Sequence, residues 1–365
     1  MTNKEREILE LIKAHPQIKQ GEIAKLLHIS RSTVAVHISS LQRQGLIAGK
    51  GYIVNEEPYV LGIGAANVDV YGKSRIALRL HYDHPADISS SVGGVMHNII
   101  VNYAKLGGKT RLISAYGDDS YGSQIVKDCE KNGIDISDCL EVKGHSSGVF
   151  LQVQDENNDM FLAICDMSIL DVLNSEYIYS KADIITRAGL VVIDPSLKEE
   201  VIEAIIDICK DKVPVYIDPI SDNYAMKMAP YAGNFELIKP NRSELASLTG
   251  MKTDDLEGVK KACKSLLAKG CRKVVTSLGK DGILYMDEDL CLHRRFKEEK
   301  KMVNASGAGD ALMGALIYGQ VNALEIEERI DLALAAGIAA IRSETTINEN
   351  MSLSLLEEII KEKKR

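Results

Sequence analysis

From Tyr59 onward, short and almost continuously apolar runs alternate with stretches of helical period, and this alternation constrains the fold more than any other feature of the chain. The runs occupy residues 60–64, 110–114, 190–194, 215–218, 237–239 and 273–276. A strand that is apolar on both faces must be covered on both faces, which is the condition of a parallel sheet with helices above and below. The expected class is therefore α/β, a doubly wound and mostly parallel sheet. In such sheets ligands bind outside the carboxyl ends of the strands, and several runs end there in Gly64, Ser114, Asp194 or Asp218.

Late in the chain, residues 303–314 (VNASGAGDALMG) place small residues and one carboxylate where a loop becomes a helix. Unpaired N–H groups at a helix start form an anion site, and Gly307, Ala308 and Gly309 keep side chains out of it. Ser306 can serve as an N-cap. Asp310 needs another explanation, because a capping box would put its acid at the position of Gly309. The following residues, 311–318, are apolar nearly all round and predict a buried helix, so a carboxylate at its mouth requires a partner or a task.

Two tempting motifs fail on spacing. Gly108-Lys109-Thr110 imitates the end of a phosphate-binding P-loop, but the first glycine would fall on Tyr103; Gly62-Ile63-Gly64 lacks the third glycine of a dinucleotide fingerprint, with Asn67 in its place. The seven cysteines show no CxxC or CxH spacing, so neither a zinc site nor a disulfide framework is expected. The 365 residues favour two domains. The net charge of −8 argues against a surface that coats nucleic acid or anionic membrane as a whole. No run of eighteen apolar residues appears and the first seven residues are too charged to open a secretory signal, so a cytoplasmic location without membrane contact is expected.

The first 57 residues differ from the rest, carrying a net +2 against −10 in the remainder. Three amphipathic helices are predicted from Ile8, Leu9, Leu11 and Ile12; from Ile23, Ala24, Leu26 and Leu27; and from Val34, Ile38 and Leu41. Ser30 is placed to cap the third, and residues 46–54 read as a β-hairpin. The string GEIAKLLHISRSTVAVHISSLQRQGLI resembles the winged helix-turn-helix family. That resemblance implies a third helix entering a DNA major groove with Arg31, Ser32, Thr33 and His37, and with Arg43 and Lys50 near phosphates. A helical protein-interaction or dimerisation module is the alternative. Glu56, Glu57 and Pro58 mark the boundary, giving domains of 1–57 and 58–365, and a homodimer is the expectation for such a module.

Two further segments join the helix-start motif. Residues 91–100 (SVGGVMHNII) set a glycine pair before a helix with Asn98 one turn inside, and residues 239–245 (KPNRSEL) put Asn241 and Glu244 three apart. With residues 307–310 (GAGD), they resemble the ribokinase-like, or PfkB, family of carbohydrate and nucleoside kinases from about residue 59 to the C-terminus. The resemblance implies a small β lid, from about residues 70–91 and 148–164, beside the main sheet. It implies that Asn67, Asp69, Gly93, Gly94 and Asn98 contact the sugar, that Gly307, Ala308 and Gly309 form the anion hole, and that Asp310 is the catalytic base. It further implies that Asn241, Glu244, Ser277, Gly279, Gly282, Gly307 and Gly309 serve ATP, with Glu244 influencing Mg²⁺ through water.

The family's usual DTTGAGD reads NASGAGD here, and Asn304 in the leading place resembles the pseudouridine kinase branch, as does GGVxxNIxxNxAxLG at residues 93–107. Residues 160–167 resemble that branch's AIxDM segment, which adds Asp166 to the sugar site, and residues 346–352 resemble its VNPNLS ending, which adds Asn348 to the ATP site. Ile347, Glu349 and Met351 depart from that ending. The loss of Asp at 304 leaves open whether a monovalent-cation site of the ribokinase kind is present. The implied reaction is ATP-dependent phosphorylation of the pseudouridine 5′-hydroxyl. Another sugar or nucleoside kinase, such as a ribokinase or an inosine/guanosine kinase, and a regulator whose kinase-like domain only senses its ligand, remain alternatives.

Overall fold

The computed structural model describes residues 1–15, 18–47, 58–157, 159–297, 299, 302–303 and 306–364. The chain divides into two compact units, Met1–Pro58 and Tyr59–Arg365.

The small unit is built from helices Asn3–Ala14, Gln20–Leu26 and Arg31–Arg43. Each start is fixed by a specific cap. Thr2 and Glu5 form a capping box at the first, and the Ser30 hydroxyl accepts the Thr33 N–H at 3.0 Å at the third. Ile8, Ile12, Ile23, Val34, Ile38 and Leu41 bury together as the core. Leu26, expected in that core, is instead 58% exposed, because the helix ends there and turns its last residue outward. Residues 48–54 of the expected hairpin, and Lys50 with them, lie outside the described residues.

The large unit contains all six expected strands, at Val60–Ile63, Thr110–Ile113, Leu190–Ile193, Val215–Ile217, Leu237–Ile238 and Lys273–Ser277. They run parallel, with Val60–Ile63 between Thr110–Ile113 and Leu190–Ile193. Strands Ile283–Met286, itself an unbroken apolar run, and Cys291–Arg294, which is mixed in character, add an antiparallel edge beyond Lys273–Ser277. One core cluster lies on each face of this sheet, the first gathered around Ile202, Ile205 and Leu266, the second around Ile99, Met313 and Ile330. The architecture is the expected doubly wound, mostly parallel one.

A separate four-stranded sheet is formed by Ala86–Gly93, Asn67–Ser74, Val149–Gln154 and Met160–Asp166, in that spatial order. It corresponds to the expected lid segments. Ile88, Met160, Phe161, Leu162 and Ile164 of this sheet are exposed.

Candidate active site

The carboxyl ends of the parallel strands and the start of helix Ala308–Val321 meet at one place. Gly307 precedes that helix with φ 76°, a left-handed conformation in which glycine carries no steric penalty. A β-carbon there would also collide with the Thr346 carbonyl. Glycine at this position therefore lets the loop enter the helix without strain or collision.

Asp310 is the third residue of this helix, whose cap is Gly307 rather than the expected Ser306; it is only partly open to solvent and accepts the Asn98 side-chain N–H at 2.9 Å. Burial pushes its pKa up to about 7, and the negative charge of Asp218 adds to this; the Asn98 hydrogen bond and the Lys239 ammonium pull the other way. A carboxylate poised near neutrality is suited to accept a proton from an alcohol.

Asn98 lies in helix Val95–Lys105, which starts after Gly93 and Gly94. A β-carbon on Gly93 would be driven into the Asp69 carboxylate, so this glycine lets the strand approach the acid. Asp69 is buried; one oxygen accepts from Asn67 at 2.7 Å and the other from the Tyr71 hydroxyl at 3.4 Å. Burial raises the Asp69 pKa. Burial and then the Asp69 charge push Tyr71 up to about 12. Tyr71 also reaches Thr346, which packs against Gly307, so the acid of the lid and the anion loop share a strut.

Asn241 and Glu244 form a capping box at the start of helix Arg242–Thr249. The Glu244 carboxylate accepts the Asn241 backbone and side-chain N–H groups, both at 2.8 Å, while the Asn241 side chain accepts the Glu244 N–H at 2.9 Å. The two residues that the family resemblance assigns to ATP are thus the cap of this helix. Glu244 is buried, and burial with the nearby Asp218 charge raises its pKa. Among the described residues no group of three or more His, Cys, Asp or Glu side chains could hold a metal ion directly. Mg²⁺ commonly keeps its waters and rides on phosphates, and the lone pairs left on Glu244 fit that mode of holding it.

A cavity of about 530 Å³ opens beside the anion loop, lined by Ser277, Gly279, Gly282, Ala308, Gly309 and an apolar wall that includes Leu312, Ile338 and Ile341. Its size and lining suit a nucleotide base and its first phosphates. Another cavity of about 440 Å³ opens beside Val215 and Phe235, at the amino ends of the strands. The carboxylates gather at the opposite ends, so the chemistry is assigned to the first cavity.

Two expected residues stand apart. Asp166 is exposed at the end of its lid strand and accepts the Ser168 N–H at 2.9 Å, a local turn contact. Asn348 does not line the nucleotide cavity; its amide donates to the Ala339 carbonyl at 2.7 Å and its oxygen accepts the Asn350 N–H, which fixes the C-terminal loop instead. Asn304 and Ala305 lie outside the described residues. Lys239 went unanticipated, as did its pairing with the strand-end Asp218; both are buried and they lie 2.8 Å apart. The available signal was a lysine continuing an apolar strand, since lysine is almost never buried unless paired.

In the small unit Arg31, Ser32 and Thr33 are exposed at the start of the third helix, and His37 is half-buried. The Ser32 and Thr33 hydroxyls lie 2.7 and 2.8 Å from the capping Ser30 hydroxyl. Val36, 64% exposed, shares the outward surface of this helix and was not anticipated.

Residues 57–352 match the model of the pfkB family carbohydrate kinases, and residues 1–48 match that of a winged helix-turn-helix DNA-binding domain. The "uncharacterized sugar kinase YeiI" of Escherichia coli (strain K12) is 30% identical over 352 residues, covering 96% of this chain and 97% of that protein. The pseudouridine kinase of the same organism is 32% identical over 301 residues, covering 82% of this chain and 96% of its own. The crystal structure of a putative sugar kinase from Clostridium perfringens superposes with a TM-score of 0.76 at 34% identity, covering 84% of this chain and 96% of that one.

Proposed function

Because the chain belongs to the pfkB family of carbohydrate kinases and carries a winged helix-turn-helix domain ahead of it, we propose that it transfers the γ-phosphoryl group of ATP to the 5′-hydroxyl of pseudouridine. The observation that carries phosphoryl transfer is the Asn98–Asp310 hydrogen bond, which ties the sugar-side helix to the anion-hole helix at a carboxylate held near neutrality. The choice of acceptor is supported by the likeness to a pseudouridine kinase across nearly all of that protein.

In this reading Asp69, oriented by Asn67, accepts hydrogen bonds from ribose hydroxyls, and Asn98 helps place the 5′-hydroxyl beside Asp310. Asp310 takes the hydroxyl proton as the oxygen attacks. The N–H groups after Gly307 hold the charge that develops on the transferred group. The cavity bounded by Ser277, Gly279 and Gly282 holds the nucleotide. Glu244 would hold Mg²⁺ through water, and the bound ion would supply neutralising charge to the nucleotide phosphates. The lid closes over the sugar and excludes solvent.

The front domain binds DNA through Arg31, Ser32, Thr33 and His37, so that the enzyme acts on transcription as well as on its substrate. A cytoplasmic site of action is part of the reading; no helix among the described residues is long and apolar enough to cross a membrane. A homodimer is part of the reading, supported by the apolar residues Ile88, Phe161, Leu162 and Ile164 left exposed on the lid.

The test is a side-by-side assay of pseudouridine, uridine, ribose and inosine with ATP and Mg²⁺. Preference for pseudouridine supports the proposal. Preference for another acceptor replaces the substrate but keeps the reaction, and no turnover with any acceptor favours a ligand-sensing regulator. A salt-dependent shift assay on genomic fragments tests the DNA-binding role, which fails if no sequence is preferred.

A further inference from the structure

Lys239 has no role in the transfer as described so far, yet it occupies the centre of the site. It follows strand Leu237–Ile238 at the carboxyl edge of the sheet and is 3% exposed. Burying an ammonium is costly unless a partner offsets it, and Asp218, at the end of the neighbouring strand, supplies one at 2.8 Å. Burial by itself would lower the lysine pKa. Asp218 outweighs that, with further help from Glu244 and Asp310, so the group is held as a cation.

The position of the charge is informative. A β-carbon placed on Gly309 would lie 3.2 Å from the Lys239 nitrogen, so the ammonium abuts the backbone of the anion loop. An ammonium has three N–H donors in tetrahedral directions, and the Asp218 bond uses one. Glycine at 309 leaves the space between the ammonium and the anion loop without a side chain. Backbone N–H groups and a helix dipole supply only partial charges, whereas a phosphoryl group in flight carries a net negative charge spread over its equatorial oxygens.

We propose that Lys239 is a further catalytic residue, whose ammonium is held by Asp218 so that it donates to the oxygens of the phosphoryl group being transferred. This rests on the kinase reading above and does not depend on which acceptor is used. As the acceptor oxygen bonds to the γ-phosphorus, the bond from that phosphorus to the β,γ-bridging oxygen breaks and its electron pair leaves with ADP. The acceptor proton passes to Asp310, and Lys239 keeps all its protons throughout. Asp218 is a positioning residue, acting only through the lysine.

The experiment uses the full chain with Lys239→Met and the double variant Lys239→Met/Asp218→Asn. The single change strands a buried carboxylate and can unfold the domain, whereas the double change removes both charges and protects the fold. Titration calorimetry measures Mg²⁺-ADP and a non-hydrolysable β,γ-imido ATP analogue, neither of which needs an acceptor. In the double variant, ADP affinity is expected to stay within about twofold of the parent while the analogue binds about tenfold more weakly. The kcat with whichever acceptor the parent phosphorylates is expected to fall by about 10²–10³, the range for loss of one transition-state donor. An equal loss for ADP and the analogue, or recovery of kcat to within about tenfold of the parent, overturns the assignment and leaves the pair a structural strut. A parent chain that binds no ATP at all refutes the kinase reading, and this proposal with it.

Discussion

Replacing Asp310 by Asn should abolish turnover and, at the same time, make the kinase domain more stable at neutral and alkaline pH. The carboxylate is displaced from an ordinary 3.8 to about 7, first by burial and then by the charge of Asp218. Each unit corresponds to about 1.4 kcal/mol, so holding Asp310 ionised costs the native state at most about 4 kcal/mol. Water at the partly exposed edge of the side chain and the loss of one carboxylate near Lys239 reduce the gain, and about 1–2 kcal/mol is the expected net effect. Asn preserves the geometry, since its carbonyl oxygen can still accept from Asn98. The sign follows from the raised native pKa. Below about pH 4 the acid is protonated in both the folded and unfolded states and costs nothing; the penalty grows as pH rises and is complete above about 7. Melting of Asp310→Asn and parent should therefore coincide near pH 4 and separate by about 2–4 °C at pH 8, with the variant higher. A variant no more stable than the parent at pH 8, or one stabilised equally at both pH values, would show that Asp310 is not a strained base. The parent's kcat/KM should fall below about pH 7 as the same group takes up its proton.

Two other substitutions probe the loops around this acid. Gly307→Ala drives a methyl group into the Thr346 carbonyl and asks a left-handed conformation of alanine, so kcat should fall by at least about 10² with nucleoside affinity retained; steady-state kinetics with equilibrium binding would refute this by showing parallel losses. Ile220 follows Asp218 in the same loop with φ 65°, a conformation that a β-branched residue adopts only under strain. Ile220→Asn should relieve it and raise stability by about 1 kcal/mol by thermal denaturation, and a lower melting temperature would show that packing of the isoleucine outweighs the strain.

The main sheet was legible because parallel strands buried on both faces leave unbroken apolar runs, and residues 190–194 or 60–64 can be little else. Of the antiparallel edge, Ile283–Met286 carries the same signal in its unbroken apolar run, whereas Cys291–Arg294 is half-exposed and mixed in character and carries none. The lid was readable only through family likeness: Met160–Asp166 keeps several apolar residues exposed, so the alternation that marks an ordinary half-buried strand is absent. Within the site, glycine and acid positions were legible because their spacing is local. The Lys239–Asp218 pair joins residues from two strands, and nothing in the linear order connects them. Asp166 and Asn348 were placed by resemblance alone, and their side chains bond to nearby backbone groups instead.

The capping box at Asn241 and Glu244 bears on how a site of this kind decays. A carboxylate that also begins a helix contributes to folding whether or not a nucleotide ever arrives, so a descendant that had given up catalysis would still gain by keeping it. Its presence therefore says little about whether a chain still works. Burial raises the pKa of both acids, but Glu244 offsets its cost with two hydrogen bonds at the start of its helix, whereas the acid beside Gly309 caps no helix and accepts from the Asn98 side chain, so that drift without selection would be expected to discard it first. Of the two, Asp310 is the better witness to a working enzyme.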